Sequence, residues 1–195
     1  VSQAASGDEL ADLQFDRVFG DASAAVEEFT TKLSSATGRT VGDLQAFIAQ
    51  TKFAADGLGF TAEKSAELSQ SVAQLALDFA SFRGISDESA FSAIQQALIG
   101  NTRGLKQYGI VLDEAAEKQR ALDLSFDPDN MTQQEQALVR LQLVTEALVP
   151  ATGAAAQSQN TFSGSVRSLN SQLSEFAGEV GKITNDLLKP LVQSL

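Results

Sequence analysis

Cysteine, histidine and tryptophan do not occur anywhere in the 195 residues. Without cysteine there is no disulfide framework, and without cysteine or histidine there is no zinc site built from those ligands. Serine–histidine and cysteine–histidine nucleophile systems are excluded for the same reason. No histidine is present to act as a general base near neutral pH. One tyrosine and no tryptophan make poor material for a sugar-binding cleft. Proline is confined to Pro128, Pro150 and Pro190, and β-branched alternation is scarce, so little or no sheet is expected.

Basic residues are also few. Lys plus Arg number 14 against 25 Asp plus Glu, a net charge of −11. With a pI near 4.4 the chain is ill suited to a nucleic-acid backbone, which wants a basic face. No run approaches 18 uncharged apolar residues, so no membrane span is expected. The opening residues Val1–Gly7 carry neither a charged leader nor an apolar core, so they do not read as a secretory signal. They lack an initiator Met, and Leu195 ends a pattern still in progress; the expectation is a fragment of a longer chain. Apolar residues make up 43 %, enough for a packed core, and Ala, Leu, Gln, Ser and Glu dominate. The fold class expected is all-α, an array of amphipathic helices ending in a long heptad-patterned one.

Caps and periodicity divide the chain. A first helix starts near Asp8, carries Leu10, Leu13, Phe15 and Val18, breaks at Gly20-Asp21, resumes through Val26, Phe29 and Leu33, and stops at Gly38. Thr40 caps the next, with Leu44, Phe47, Ile48 and Phe53, stopped by Gly57 and Gly59. Thr61 caps a third, whose stripe Leu68, Val72, Leu75, Phe79 and Phe82 steps by 4, 3, 4 and 3 up to Gly84. Ser86 caps a fourth with Phe91, Ile94 and Leu98, closed by Gly100. A short helical turn is expected around Leu105, then an apolar link to Leu112. Asp113 caps a helix with Ala116, Leu122 and Leu124; Asp127-Pro128-Asp129-Asn130 is a turn. Thr132 and Glu135 form a capping box for a helix carrying Leu138, Leu141, Thr145 and Leu148, ended by Pro150 and Gly153. Three regions result: 1–59 with the N-terminal helices, 60–150 as a central helical region, and 151–195 as a long C-terminal helix.

That last segment holds the candidate interaction residues. Phe162, Val166, Leu169, Leu173, Phe176, Val180, Ile183 and Leu187 step by 4, 3, 4, 3, 4, 3 and 4 with mostly polar residues between. At 1.5 Å per residue the stripe spans about 40 Å. Burying eight such side chains contributes roughly 12–24 kcal/mol before the entropy of ordering them. Its partner can be an earlier helix of the same chain or another copy in a coiled-coil seam. A membrane surface fits less well, because the polar face has few Lys or Arg.

Other short patterns carry little chemistry. Gly100-Asn101-Thr102-Arg103-Gly104-Leu105-Lys106 approaches a phosphate-cradling loop, but the spacing is wrong and no strand precedes it. Asp127, Asp129 and Glu135 could suggest a calcium loop, yet Met131 and Thr132 stand where an oxygen ligand and a glycine are needed. Asn130-Met131-Thr132 matches a glycosylation acceptor, which means little without a secretory signal. Gly178 and Gly181 form a Gly-x-x-Gly inside the long helix of an acidic chain; they weaken or kink that helix or permit close helix contact. The carboxylate pairs Glu27/Glu28 and Asp87/Glu88 sit where a helix surface or first turn wants charge. No catalytic constellation, cofactor site or metal site is expected.

One resemblance is specific. The run Leu75-Ala76-Leu77-Asp78-Phe79-Ala80-Ser81-Phe82-Arg83-Gly84-Ile85-Ser86-Asp87-Glu88 resembles a stretch common in tail tape measure proteins of long-tailed bacteriophages and prophages. So does the run from Ala93 through Gly100 and Gly104 to Leu105-Lys106-Gln107-Tyr108-Gly109-Ile110-Val111-Leu112. The closing part, Phe162 to Pro190 and Leu191, is similar to the long helix with a late proline in that family. The likeness covers roughly residues 60–192. Phe79 stands where a leucine is common, and Ile99 where a small residue is common. The hydrophobic segments that usually follow such a helix do not occur here.

The resemblance implies a structural protein. The whole protein would lie in the lumen of the tail tube, set tail length during assembly, and leave before or with the DNA at ejection. Its partners would be other copies, as in a trimer or hexamer, and tail tube and tail tip proteins. Direct sequence-specific contact with nucleic acid is not implied, and membrane contact would fall to segments outside this chain. Its place would be the virion tail, assembled in the host cytoplasm. A helix has a fixed rise per residue, so its length can encode distance. This chain is too rich in glycine and turns to be the straight ruler, so a folded helical part near the tail tip is expected. Its negative charge would repel DNA, which suits a plug that must give way. A bacterial helical adaptor or secretion-apparatus protein, binding through the final stripe, is the alternative. A cell-wall-cleaving module of the kind some tape measure proteins carry is not expected in these residues.

Overall fold

A computed structural model of the chain describes residues 15–148, together with Ser174, Glu175 and Gly178. The helix expected from Asp8 through Leu10 and Leu13, the stop at Pro150 and Gly153, and the long helix over 162–187 lie outside the described residues, apart from those three positions. Among the described residues, α-helices run in order: α1 Ser23–Thr37, α2 Val41–Gly57, α3 Ala62–Arg83, α4 Asp87–Leu98, α5 Arg103–Lys106, α6 Glu114–Asp123 and α7 Gln133–Leu148. Residues 15–19 are also helical, and a 3-10 turn, Gly20–Ala22, joins them to α1. Among the described residues there is no strand, so the fold is all-α. No described helix is long and apolar enough to cross a membrane.

Two compact units divide between Gln74 and Leu75, within α3. In the first, α1 packs on α2. Val26, Thr30 and Leu33 form the buried stripe of α1, whereas Phe29, expected there, is only half-buried. The Thr30 hydroxyl donates to the Val26 carbonyl at 2.6 Å, which satisfies its polar group inside the helix and lets it enter the core. Thr40 caps α2 by accepting the Asp43 N–H at 3.1 Å. Leu44, Ile48, Thr51, Lys52 and Ala55 are buried along α2. Phe53 is not on that face and is 60 % exposed. Phe60 closes the helix end by donating its N–H to the Ala55 carbonyl at 3.2 Å and burying its ring.

Helix α3 departs from a one-face pattern. The expected stripe Leu68, Val72, Leu75 and Phe79 is buried, while Phe82 is half-exposed. A second stripe of small residues, Ser65, Ser69, Ala73, Ala76 and Ala80, is buried as well, and so are Ala66 and Leu77. The helix therefore buries most of its circumference.

In the second unit α4 packs on both α5 and α7, and α7 packs on α6. Ser86 caps α4 by accepting the Ser89 N–H at 3.2 Å, and Asp113 caps α6 by accepting the Ala116 N–H at 2.7 Å. Thr132 and Glu135 make the reciprocal box: Glu135 N–H donates to Thr132 Oγ1 at 3.2 Å, and Thr132 N–H to Glu135 Oε2 at 2.7 Å. All four expected stripe residues of α7, Leu138, Leu141, Thr145 and Leu148, are buried. Helix α6 differs from expectation. Ala121 is its buried residue, Ala116 and Leu124 are half-buried, and Leu122 is 57 % exposed. Ion pairs flank that seam, Arg120 with Glu146 and Arg140 with Glu117 at 3.4 Å.

Candidate functional site

The stretch from Leu75 to Leu112 folds as one continuous piece of the second unit. Leu75, Phe79 and Ala80 are buried on α3, the chain turns at Gly84, and Ser86 starts α4. Helix α4 buries Ala90, Phe91, Ala93, Ile94, Ala97 and Leu98. Helix α5 then lies against it so closely that a Cβ on Gly104 would stand 3.4 Å from the Ala93 Cα. Beyond α5, Ile110 and Leu112 are buried and Val111 is 61 % exposed, the alternation of an extended segment. The end of the stretch returns to its start. The Tyr108 ring stands edge-on to Phe79 at 5.3 Å, and the Arg83 guanidinium donates to the Tyr108 carbonyl at 2.9 Å. Arginine and tyrosine thus tie α3 to the segment after α5.

The short patterns resolve into local structure. Asn101 Oδ1 accepts the Arg103 N–H at 3.4 Å, while its amide donates to Gln96 at 3.0 Å, so the glycine-bounded run is a turn leading into a four-residue helix. Asp127 accepts from the Asp129 N–H at 3.1 Å and from the Asn130 side chain at 2.8 Å. These bonds hold its carboxyl below its usual range, the Asn130 amide contributing most and the Asp129 N–H next. With Glu135 engaged at Thr132, the three carboxylates of the suspected calcium loop do not converge, and no group of three or more potential metal ligands occurs among the described residues. Glu28 of the first carboxylate pair is exposed and bonded to Lys32, which holds its carboxyl below the ordinary value. Asp87 and Glu88 occupy the first turn of α4.

The eight stripe residues Phe162, Val166, Leu169, Leu173, Phe176, Val180, Ile183 and Leu187 lie outside the described residues. Between them, Ser174, Glu175 and Gly178 are helical and exposed. A Cβ on Gly178 would meet nothing within 4 Å.

What the sequence did not signal lies in the first unit. Phe53, Ala49 and Ala46 of α2 face Phe15 and Val18 across an apolar groove of about 510 Å³. A second space of about 740 Å³ is lined by residues 17–22 with Ala62, Ala66 and Gln70 of α3. Lys52 is buried on α2, its ammonium 2.7 Å from Asp56 and 5.9 Å from the centre of the Phe19 ring. Compared with protein-family models, curated proteins and solved structures, the chain matches none.

Proposed function

We propose that this chain is a folded helical part of a phage tail tape measure protein, a non-enzymatic component of the virion tail that helps set tail length and occupies the tube or tip before DNA ejection. The observation that carries the reading is the motif over residues 75–112, with its serine-aspartate-glutamate cap, its Ala97-Leu98-Ile99-Gly100 helix end and its Leu105-Lys106 to Gly109-Ile110-Val111-Leu112 close. Contacts within the stretch support it: Phe79 and Arg83 both meet Tyr108, and Gly104 lies against Ala93. That makes the motif a unit of structure, as a virion component requires. The partners proposed are other copies, through the stripe Phe162–Leu187, and tail tube and tip proteins.

Mass spectrometry of tails purified from particles of the organism that encodes the chain tests the reading. The chain is expected in intact particles and depleted after ejection. Its recovery only from cell-envelope or cytosolic fractions overturns the tail reading in favour of a bacterial adaptor. Light scattering of a Phe176→Asp variant beside the parent tests the self-association. The parent is expected to be oligomeric and the variant smaller; two monomers would mean that the stripe does not join copies.

A further inference from the structure

Helical residues 15–19 join α1 through a junction whose boundary residues, Phe19 and Ala22, carry no polar side chain. They are followed by the 3-10 turn Gly20–Ala22, where Gly20 has φ +53°, a conformation that L side chains rarely adopt. Neither Phe19, before that turn, nor Ala22, before α1, makes a side-chain capping bond. Two of the usual fixings of a helix boundary are thus missing at one place.

The packing around this segment is uneven. Arg17 and Val18 wall both the apolar groove against α2 and the larger space beside α3, so residues 15–22 form the partition between them. Among the described residues, two rings anchor it. Phe15 and Phe19 are buried, with centroids 4.5 Å apart. Phe19 in turn covers Lys52, whose side chain is 5 % exposed and whose ammonium reaches Asp56 at 2.7 Å. An ammonium kept from water under an aromatic face is attracted to that face, yet it regains hydration when the face leaves. The cover therefore holds while closed and meets a smaller penalty on opening than an all-apolar contact of the same area would.

We propose that residues 15–22 are a strap hinged at Gly20 and latched by Phe19 over Lys52, which opens as a unit while α1 and α2 stay packed together. Opening joins the two spaces and uncovers Lys52 beside Asp56, which is already at the surface of α2. It is a conformational device of the first unit and does not depend on the tail assignment.

Native-state hydrogen exchange on the whole chain tests it. The amides of residues 15–19 are expected to exchange through an opening that barely responds to urea, and those of residues 44–55 through one that responds steeply. Trypsin provides a second readout at the exposed Arg17. Phe19→Ala is expected to speed cleavage there by roughly tenfold or more, without matching acceleration at Arg39. Phe19→Trp, with a stronger attraction for the ammonium, is expected to slow it. Exchange at residues 15–19 with the same urea dependence as at 44–55 overturns the strap, and that measurement on the parent needs no variant to fold. Equal acceleration at Arg17 and Arg39 in Phe19→Ala overturns it too.

Discussion

The Tyr108 ring meets Phe79 edge-on, with centroids 5.3 Å apart and 89° between the planes. An edge-to-face pair sets the positive ring edge against the negative face of its partner and contributes about 0.5–1.5 kcal/mol beyond burial. Phe79 is fully buried, and Tyr108 is half-buried with its backbone carbonyl held by Arg83. The contact joins positions 29 residues apart, so it closes the motif rather than decorating a helix.

Truncation of Tyr108 follows from this. Tyr108→Ala is expected to destabilise the chain by about 1–3 kcal/mol, and Tyr108→Phe by less than about 0.5 kcal/mol. Urea unfolding followed by circular dichroism measures both, since the alanine variant retains no tyrosine or tryptophan to report by fluorescence. A phenylalanine variant as unstable as the alanine one would mean that the hydroxyl, not the ring, makes the contact.

Gly100 combines two demands. Its φ is +94°, and a Cβ built there would stand 3.3 Å from the Arg140 guanidinium. Arg140 is not free to leave, because it bonds to Glu117 at 3.4 Å and to Gln136 at 3.3 Å. Gly100→Ala is expected to cost about 1–3 kcal/mol through backbone strain and crowding. In an Arg140→Ala background the crowding part disappears and the penalty falls. An unchanged penalty in that double-mutant cycle would assign the whole effect to φ.

The caps were legible because each is a local bargain between one side chain and a nearby N–H: Thr40, Ser86, Asp113 and the Thr132–Glu135 box all form as the spacing predicts. Stripes of large residues were legible where one face is buried, as on α4; on α7 the four expected residues are buried, but so are Val139, Gln142 and Val144 outside that stripe. Burial of small and polar residues was not. Thr30 enters the core because its hydroxyl finds the Val26 carbonyl, while Phe29 stays at the margin. The Ser65 to Ala80 stripe of α3 is buried by what surrounds it, and alanine or serine carries no hydropathy signal for that. Leu122 and Phe53 are exposed although apolar, since the neighbours that would cover them lie elsewhere; a one-dimensional pattern cannot supply those neighbours. The groove beside Phe53 and the buried Lys52 escaped for the same reason: both need residues 15–19 placed against α2.

Ser125 occupies a glycine's position. It ends α6 with φ +62°, and the following Phe126 donates its N–H to the Ala121 carbonyl at 2.8 Å. That is the left-handed helix stop that glycine fills without strain. Ser125→Gly is expected to stabilise the chain by about 0.5–1 kcal/mol, the relief of the left-handed conformation less the added freedom of the unfolded chain. A rise in the urea midpoint at constant slope is the expected reading. A fall would mean that the serine hydroxyl supports the turn more than its backbone strains it.

The turn after α6 gives the acid dependence. The Asn130 amide, first, and the Asp129 N–H, second, both donate to Asp127 and hold its carboxyl below the ordinary 3.8. A carboxyl depressed in the folded state stabilises it above the unfolded pKa, and that contribution is lost as pH falls through the lower folded value. A carboxyl-detected NMR titration is expected to place the Asp127 midpoint below 3.8, and Asn130→Ala to move it back towards that value. The same substitution is expected to make the acid limb of the stability curve shallower, since less proton uptake then separates the unfolded from the folded chain. Asn130→Ala with an unmoved midpoint would transfer the effect to the Asp129 N–H, which a substitution of the side chain leaves in place.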